Sequence, residues 1–248
     1  RVPVVLTEAD SRIGLTNRAF APFARRVCLS FPRAPQNGRR RGRRVASRYL
    51  VTGRPLFGPL PDRAQARERL GIPRGETCVA VFGGSLGARS INFAAVEALA
   101  GASFCVLHIS GERDYPELAA RPRSPGYRLF AQLQPREFAD VLAAADLAVA
   151  RAGGSVFEIA AHGLPAILVP YPHAAHDHQS ANAAWMADAG AAVVVADDEL
   201  SAARLGHEVA QLVSDPARLA AMAAAARRIA RPDAANEVAR ALVEVARG

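Results

Sequence analysis

The sequence predicts an α/β protein built on a doubly wound parallel sheet, and three observations carry that expectation. Nine short apolar runs alternate with helix-like stretches nearly from end to end, as strands do when crossover helices cover both faces of their sheet. Two of the runs, ending at Phe82 and Ala150, pass straight into glycine-rich turns that open helical patterns. A 50% hydrophobic content over 248 residues supplies core for one large or two modest domains.

In chain order, strands are predicted at 3–6, 26–30, 49–51, 77–82, 103–108, 127–130, 146–150, 166–169 and 192–195. Helices are predicted between them at 63–70, 90–100, 135–145, 155–162 and 180–189. Three more follow in succession at 201–213, 216–230 and 234–246. Asp215-Pro216 and Arg231-Pro232-Asp233 punctuate that last group, since proline suits a first helical turn and not an interior one.

A boundary is expected near Gly53, because the two or three strands before it cannot wrap a sheet alone while the six after it complete a doubly wound unit. This divides the chain into 1–53, the remnant of a preceding domain, 54–232, the main unit, and 233–248, a helix returning toward the first part. The chain enters its first strand at once and without methionine, which is what a fragment of a longer protein would show.

All 31 basic residues are arginine and the formal net charge is +8. Arg39, Arg40, Arg41, Arg43 and Arg44 crowd one segment, which either binds phosphates or an anionic membrane or is a solvated linker. A 6% aromatic content, with none interleaved among these arginines, argues against nucleic acid. The apolar runs fall far short of the ~20 residues that span a bilayer, and no signal-peptide pattern opens the chain, so a cytosolic location is expected. Cys28, Cys78 and Cys105 are odd in number and set in apolar runs, and read as buried hydrophobes without a disulfide framework or zinc site.

The first turn, Gly83-Gly84-Ser85-Leu86-Gly87-Ala88-Arg89-Ser90, is a strand, a glycine turn and a helix start. Glycines let the backbone approach a ligand there, and the unpaired N–H groups and positive dipole end of a helix favour an anion. A glycine turn also serves packing alone, so both readings stay open at this segment. The second turn, Arg151 to Glu158, repeats the arrangement, and in an open sheet both turns can share one crevice outside the strand ends. Glu158, one turn into its helix, is placed to accept hydrogen bonds from the vicinal hydroxyls of a ribose, or else to act as a solvated partner of the helix dipole. Further on, His173, His176 and His178 with Asp177 suggest a metal, but their spacing departs from the hydrolase signature His-x-His-x-Asp-His and no matching ligand set follows. Gln179 and Asn182, amides one helical turn apart, suit hydroxyl recognition on a sugar better.

Together the run from Gly83 to Arg89, Arg151-Ala-Gly-Gly-Ser with Glu158, the strand Gly163-Leu-Pro-Ala-Ile-Leu-Val-Pro-Tyr-Pro, and Asp177-His-Gln179-x-x-Asn182 resemble the MurG family. Glu8-Ala-Asp and Ile13-Gly-Leu-Thr-Asn17 extend the resemblance over nearly all the chain. The family is the UDP-N-acetylglucosamine transferase that completes lipid II in peptidoglycan synthesis. The resemblance implies a GT-B glycosyltransferase whose Rossmann-like C-terminal domain is present here with the tail of its N-terminal domain. It implies UDP-N-acetylglucosamine and lipid I as partners, contact with the inner face of the cell membrane from the cytoplasm, and no cofactor, metal or nucleic acid.

Residue by residue, it implies that Gly84, Ser85 and Gly87 hold the diphosphate. Gly153, Gly154, Ser155 and Val156 would give backbone donors beside the diphosphate and sugar, and Glu158 would bind the ribose. Gln179 would contact N-acetylglucosamine, with Asn182 beside it, and Asn17 matches a residue at the nucleotide-sugar site. Uracil is expected to meet backbone groups at 133–135. Glu8 is the carboxylate nominated for the acceptor side, the family's glycine-rich loop Gly-Gly-x-Gly-Gly-His having no counterpart in this sequence. Phe57 stands where the family has an arginine, for which Arg54 is the nearest substitute, and the loop 151–158 is one residue short of the common pattern. Phe20 and Phe23, beside Arg25 and Arg26, form either a buried helix face or an apolar patch rimmed by charge. Another nucleotide-sugar transferase of the same fold, or a donor-binding subunit of a split transferase, remain the alternatives.

Overall fold

The computed structural model describes residues 2–32, 48–84 and 86–247. These fall into two compact units, 1–56 with 231–248, and 57–230. The arginine cluster 39–44 and Ser85 lie outside the described residues.

The first unit is a three-stranded parallel sheet in the order β1-β2-β3, formed by β1 (Val5–Glu8), β2 (Arg26–Leu29) and β3 (Tyr49–Val51). β1 starts two residues later than expected and runs on through Thr7 and Glu8, because its register with β2 pairs Val5 with Arg26 and Glu8 with Leu29. Its apolar run misled because Pro3 has no N–H to give a ladder. A short helix not foreseen, α1 (Leu15–Phe20), and a 3-10 turn at Ala21–Phe23 follow. Phe20 and Phe23 are 56% and 79% exposed, which excludes the buried helix face of the two readings. The last helix, α10 (Ala234–Arg247), belongs to this unit, packs on β1 and β2, and is pinned by Arg26 to Glu244 at 2.6 Å.

The second unit holds β4 (Cys78–Phe82), β5 (Cys105–Ile109), β6 (Tyr127–Phe130), β7 (Leu147–Ala150), β8 (Ala166–Leu168) and β9 (Ala192–Val194). All pairs are parallel and the order is β6-β5-β4-β7-β8-β9, so the winding reverses between β4 and β7. Both faces are covered. Val79, Val81, Val106, Leu147 and Val149 pack under α3 (Arg89–Leu99) and α8 (Ala202–Val213). Their alternates, among them Ala80, Leu107 and Ala148, are equally buried on the other face, as strands of an all-parallel sheet must be.

On the flanks, α2 (Arg63–Arg69) packs against α5 (Pro135–Ala144), while α6 (Val156–Ala161) touches both α7 (His178–Asp188) and α9 (Pro216–Ile229). The one-turn helix α4 (Tyr115–Ala119) was also not foreseen, being too short for a helical period to show. The three cysteines are free and buried.

Three helix starts are closed by side chains: Asp62 accepts from Gln65 N, Ser201 from Arg204 N and Asp215 from Arg218 N, at 2.9–3.1 Å. Asp215 with Pro216 at the first helical position is the strongest of these stops. Asp215→Ala is expected to lower unfolding free energy by about 1 kcal/mol in urea titration, with an unchanged m-value.

Candidate active site

Both glycine turns stand at the carboxy rim where the winding reverses, the place at which an open α/β sheet forms a ligand crevice. Phe82 pairs with Ala150, so the two turns leave adjacent strands on the same rung of the ladder. Between them lies a cleft of ≈ 360 Å³ lined by Gly84 on one side and Ser155 and Glu158 on the other. Phe82 and Phe138, in edge contact at 5.0 Å, line it together with Leu133, and Phe57 is exposed at its wall. The two glycine motifs and Glu158 are therefore brought together as the sequence predicts.

The first turn is shaped by close backbone approach. Gly84 and Gly87 have φ of +91° and +74°, and a Cβ on Gly87 would stand 2.0 Å from the Ser110 carbonyl oxygen. Gly83 has no room either, since its Cβ would meet Ala88 N at 2.2 Å. After the turn α3 begins at Ala88 with no side-chain cap, so its first amides are left to another acceptor. In the second turn, Val156 N and Phe157 N donate within the turn to Gly153 O and Gly154 O at 3.3 and 3.2 Å. This leaves Gly153, Gly154 and Ser155 as the turn's candidate backbone donors, and engages Val156 N, whose residue is also fully buried.

Gln179 reaches this turn: its Oε1 accepts from Tyr171 N at 3.0 Å, and its Nε2 lies 3.9 Å from where a Cβ on Gly153 would be. Asn182 behaves differently from its expected partnership with Gln179. It is fully buried and donates through Nδ2 to Ala152 O at 3.0 Å, so it braces the turn instead of facing a ligand. The loop before α7 carries His176 and Asp177 in the left-handed region, at φ 55° and 54°. Among the described residues, no three His, Cys, Asp or Glu side chains converge as a metal site would need.

In the first unit, Glu8 and Asn17 form one cluster. The Glu8 carboxylate is 6% exposed and accepts from Asp10 N, Gly14 N and Asn17 Nδ2 at 3.1, 2.8 and 3.0 Å, while Asn17 also donates to Thr7 O. Its oxygens are thus engaged in folding the loop that follows β1.

Two features escaped the sequence. Arg151, 11% exposed, donates to Val169 O, Pro170 O, Asp197 and Ser90 Oγ, tying the ends of three strands to the start of α3. An arginine directly after a fully apolar strand is the signal that could have found it. Under the first turn, His108 links Tyr127 OH at 2.7 Å to Asn92 Oδ1 at 3.0 Å, and Asn92 Nδ2 donates to Ser110 O and Asp114, both at 2.8 Å. Hydrogen bonds from Arg113, with those from Asn92 and Arg89, hold the Asp114 carboxyl below its ordinary range against the opposing effect of burial. Burial, with the charge of Arg123, pushes His108 down to about 3, so the ring is neutral at physiological pH. A histidine inside an otherwise apolar strand was the visible signal.

This fold, with paired turns at its switch point, is that of the C-terminal domain of a GT-B glycosyltransferase. Residues 78–238 match the glycosyltransferase family 28 C-terminal domain. The chain belongs to glycosyltransferase family 28. It is 39% identical to the UDP-N-acetylglucosamine--N-acetylmuramyl-(pentapeptide) pyrophosphoryl-undecaprenol N-acetylglucosamine transferase of Moorella thermoacetica, over 98% of this chain and 68% of that protein. The protein of the same description from Mycobacterium tuberculosis strain H37Rv is 42% identical over 100% of this chain and 60% of its own length. The crystal structure of Acinetobacter baumannii MurG superposes with a TM-score of 0.74 at 26% identity, over 98% of this chain and 68% of that one. The resemblance read from the motifs is borne out, and the chain spans between 60% and 70% of the length of such relatives.

His108 gives a test of the site's buried frame. Between its folded value of about 3 and its unfolded value near 6.5, the unfolded state binds one more proton, so stability falls as pH falls through that window. Measured by urea unfolding, the free-energy difference between wild type and His108→Gln should shrink by about 1.4 kcal/mol per pH unit below pH 6.5 and be level above it.

Proposed function

We propose that this chain carries the donor site of the transferase that moves N-acetylglucosamine from its uridine diphosphate to lipid-linked N-acetylmuramoyl-pentapeptide, converting lipid I to lipid II. The observation that carries the reading is the single cleft lined by Gly84, Ser155 and Glu158. The names of the relatives support the donor and acceptor.

The diphosphate lies against the first turn and the uncapped start of α3, with Ser85 supplying a hydroxyl. The uracil enters the apolar cleft. Of residues 133–135, Pro135 has no N–H and Gln134 N already donates to Glu137 at 2.8 Å, so Leu133 is the residue whose backbone meets the base. Glu158 accepts from the ribose hydroxyls, Gly154 and Ser155 give amides near the sugar, and Gln179 turns its NH₂ toward N-acetylglucosamine.

As the bond to the diphosphate breaks, negative charge grows on it, and fixed amides with a helix dipole stabilise that charge without reorganising. The acceptor C4 hydroxyl attacks from the opposite face, inverting the anomeric carbon, and a base takes its proton as the bond forms. Glu8 serves the acceptor side by setting the loop that carries Asn17. Leu15, Phe20 and Phe23, exposed beside Arg18 and Arg25, give this unit an apolar and basic face for the cytoplasmic leaflet where the acceptor resides. No helix among the described residues is long and apolar enough to cross a membrane.

Calorimetric titration tests the donor reading. UDP-N-acetylglucosamine should bind more tightly than UDP-glucose or thymidine diphosphate sugars, and UDP about tenfold more tightly than 2′-deoxy-UDP, a hydrogen bond to a carboxylate contributing about 1.5 kcal/mol. Glu158→Gln should bring the UDP to 2′-deoxy-UDP ratio close to one. An unchanged ratio removes Glu158 from the ribose, and a preference for thymidine sugars overturns the donor assignment.

A further inference from the structure

We propose that Asn92, His108 and Tyr127 are positioning residues for the diphosphate: a buried one-way chain of hydrogen bonds that fixes the first glycine turn from beneath. The inference rests on the donor reading above and goes further, assigning a role to three side chains that reach no ligand.

The direction of the chain follows from its ends. Asn92 Nδ2 has two partners, the Ser110 carbonyl and the Asp114 carboxylate, and both can only accept. Its Oδ1 must then accept from His108, so the neutral ring carries its proton on Nε2 and its Nδ1 accepts from Tyr127 OH. No group in this sequence can be reversed without leaving two donors or two acceptors face to face. Asp114 closes the chain: its side chain is wholly buried, and it also accepts from Arg89 and Arg113 at 3.1 and 3.0 Å.

Ser110 is where the chain acts. Its carbonyl receives the Asn92 amide on one side and lies against Gly87 on the other, close enough that a Cβ there would stand 2.0 Å away. The next residue, Gly111, backs the turn as well, its own Cβ position being 2.7 Å from Gly87 N. The Ser110–Gly111 backbone is thus a floor under residues 86 and 87, and Asn92 sets its height. Ser110 N and Oγ both donate to Phe130 O, which anchors the floor to β6, and Oγ also donates to Gly111 O within the floor itself; none of these bonds reaches α3. The Asn92 bond is what joins the floor to the helix whose first amides meet the anion.

A preorganised cradle of this kind acts on the diphosphate and not on the nucleoside. The test is therefore a pair of affinities on the full chain, for UDP and for uridine, in wild type, Asn92→Ala and Tyr127→Phe, with circular dichroism and thermal melting to keep each variant in its folded range. Asn92→Ala should weaken UDP about tenfold while leaving uridine within about twofold, and Tyr127→Phe, which removes only the far hydroxyl, should weaken UDP about threefold. Equal loss for UDP and uridine means general loosening and overturns the proposal, as does unchanged UDP affinity in a folded variant. If Asn92→Ala fails to fold, Tyr127→Phe decides alone by the same ratio. A wild-type chain that binds uridine and UDP equally well, or neither, overturns the donor reading and this inference with it.

Discussion

The contact of Gly87 with the Ser110 carbonyl sets the position of everything else at the carboxy rim. A parallel sheet delivers each turn at the end of its strand, but strand ends alone leave a turn free to swing. Here the β4–α3 turn is seated on the β5–α4 turn so closely that no side chain fits between them. Neighbouring turns are then laced by buried amides and one guanidinium: Asn92 from α3 to Ser110, Asn182 from α7 to Ala152, and Arg151 from the end of β7 to β8, Ser90 and Asp197. Each such bond adds only about 1 kcal/mol net, yet leaving its buried partner unmade costs more, so the arrangement is favoured as a unit.

The same logic explains the arginines. A net charge of +8 invites a search for a polyanion, but many of the described guanidinium groups are turned onto backbone carbonyls. Arg63 and Arg67 take the last carbonyls of α5 at residues 143–145, Arg128 takes those that close α2 at 70 and 71, and Arg123 takes Leu118 O at the end of α4. These are the acceptors a helix leaves unpaired at its C-terminus, and positive charge is favourable there. These arginines are a structural resource, and net charge alone is a poor guide to a partner.

Legibility in the sequence followed how local the cause was. The strands were readable as apolar runs, most plainly β4, β5, β7 and β8, which are buried along their whole length, and the helix limits were readable where proline, aspartate or serine stops them. β1 shifted because its limits are set by register against β2. α1 and α4 were missed because one turn or little more carries no period. The glycine turns and Glu158 were legible since turn chemistry is local, and their meeting in one cleft followed from the sheet order. Asn182 was misjudged: i, i+3 spacing places two amides on one helix face, but packing against α6 buried one and left the other beside Gly153. His108 inside an apolar strand was the one visible sign of its network, whose partners could not be read because its members are 16 to 35 residues apart and meet only in the folded core.

The two turns are held in different ways. Beneath the first, the chain from Tyr127 to Asp114 has a donor for each acceptor it meets. Behind the second, Asn182 leaves its Oδ1 buried without a hydrogen-bond partner, and Gln179 stands in the first turn of α7, directly after a loop whose His176 and Asp177 are both left-handed. Left-handed backbone costs about 1–2 kcal/mol at each such residue, and it persists where surrounding structure imposes it, often at a functional site. The second turn is therefore backed by strain and a spare acceptor where the first is built to closure. On the donor role proposed for this chain, the closed network would stand under the leaving diphosphate, where charge develops, and the strained backbone beside the sugar, whose anomeric carbon must move.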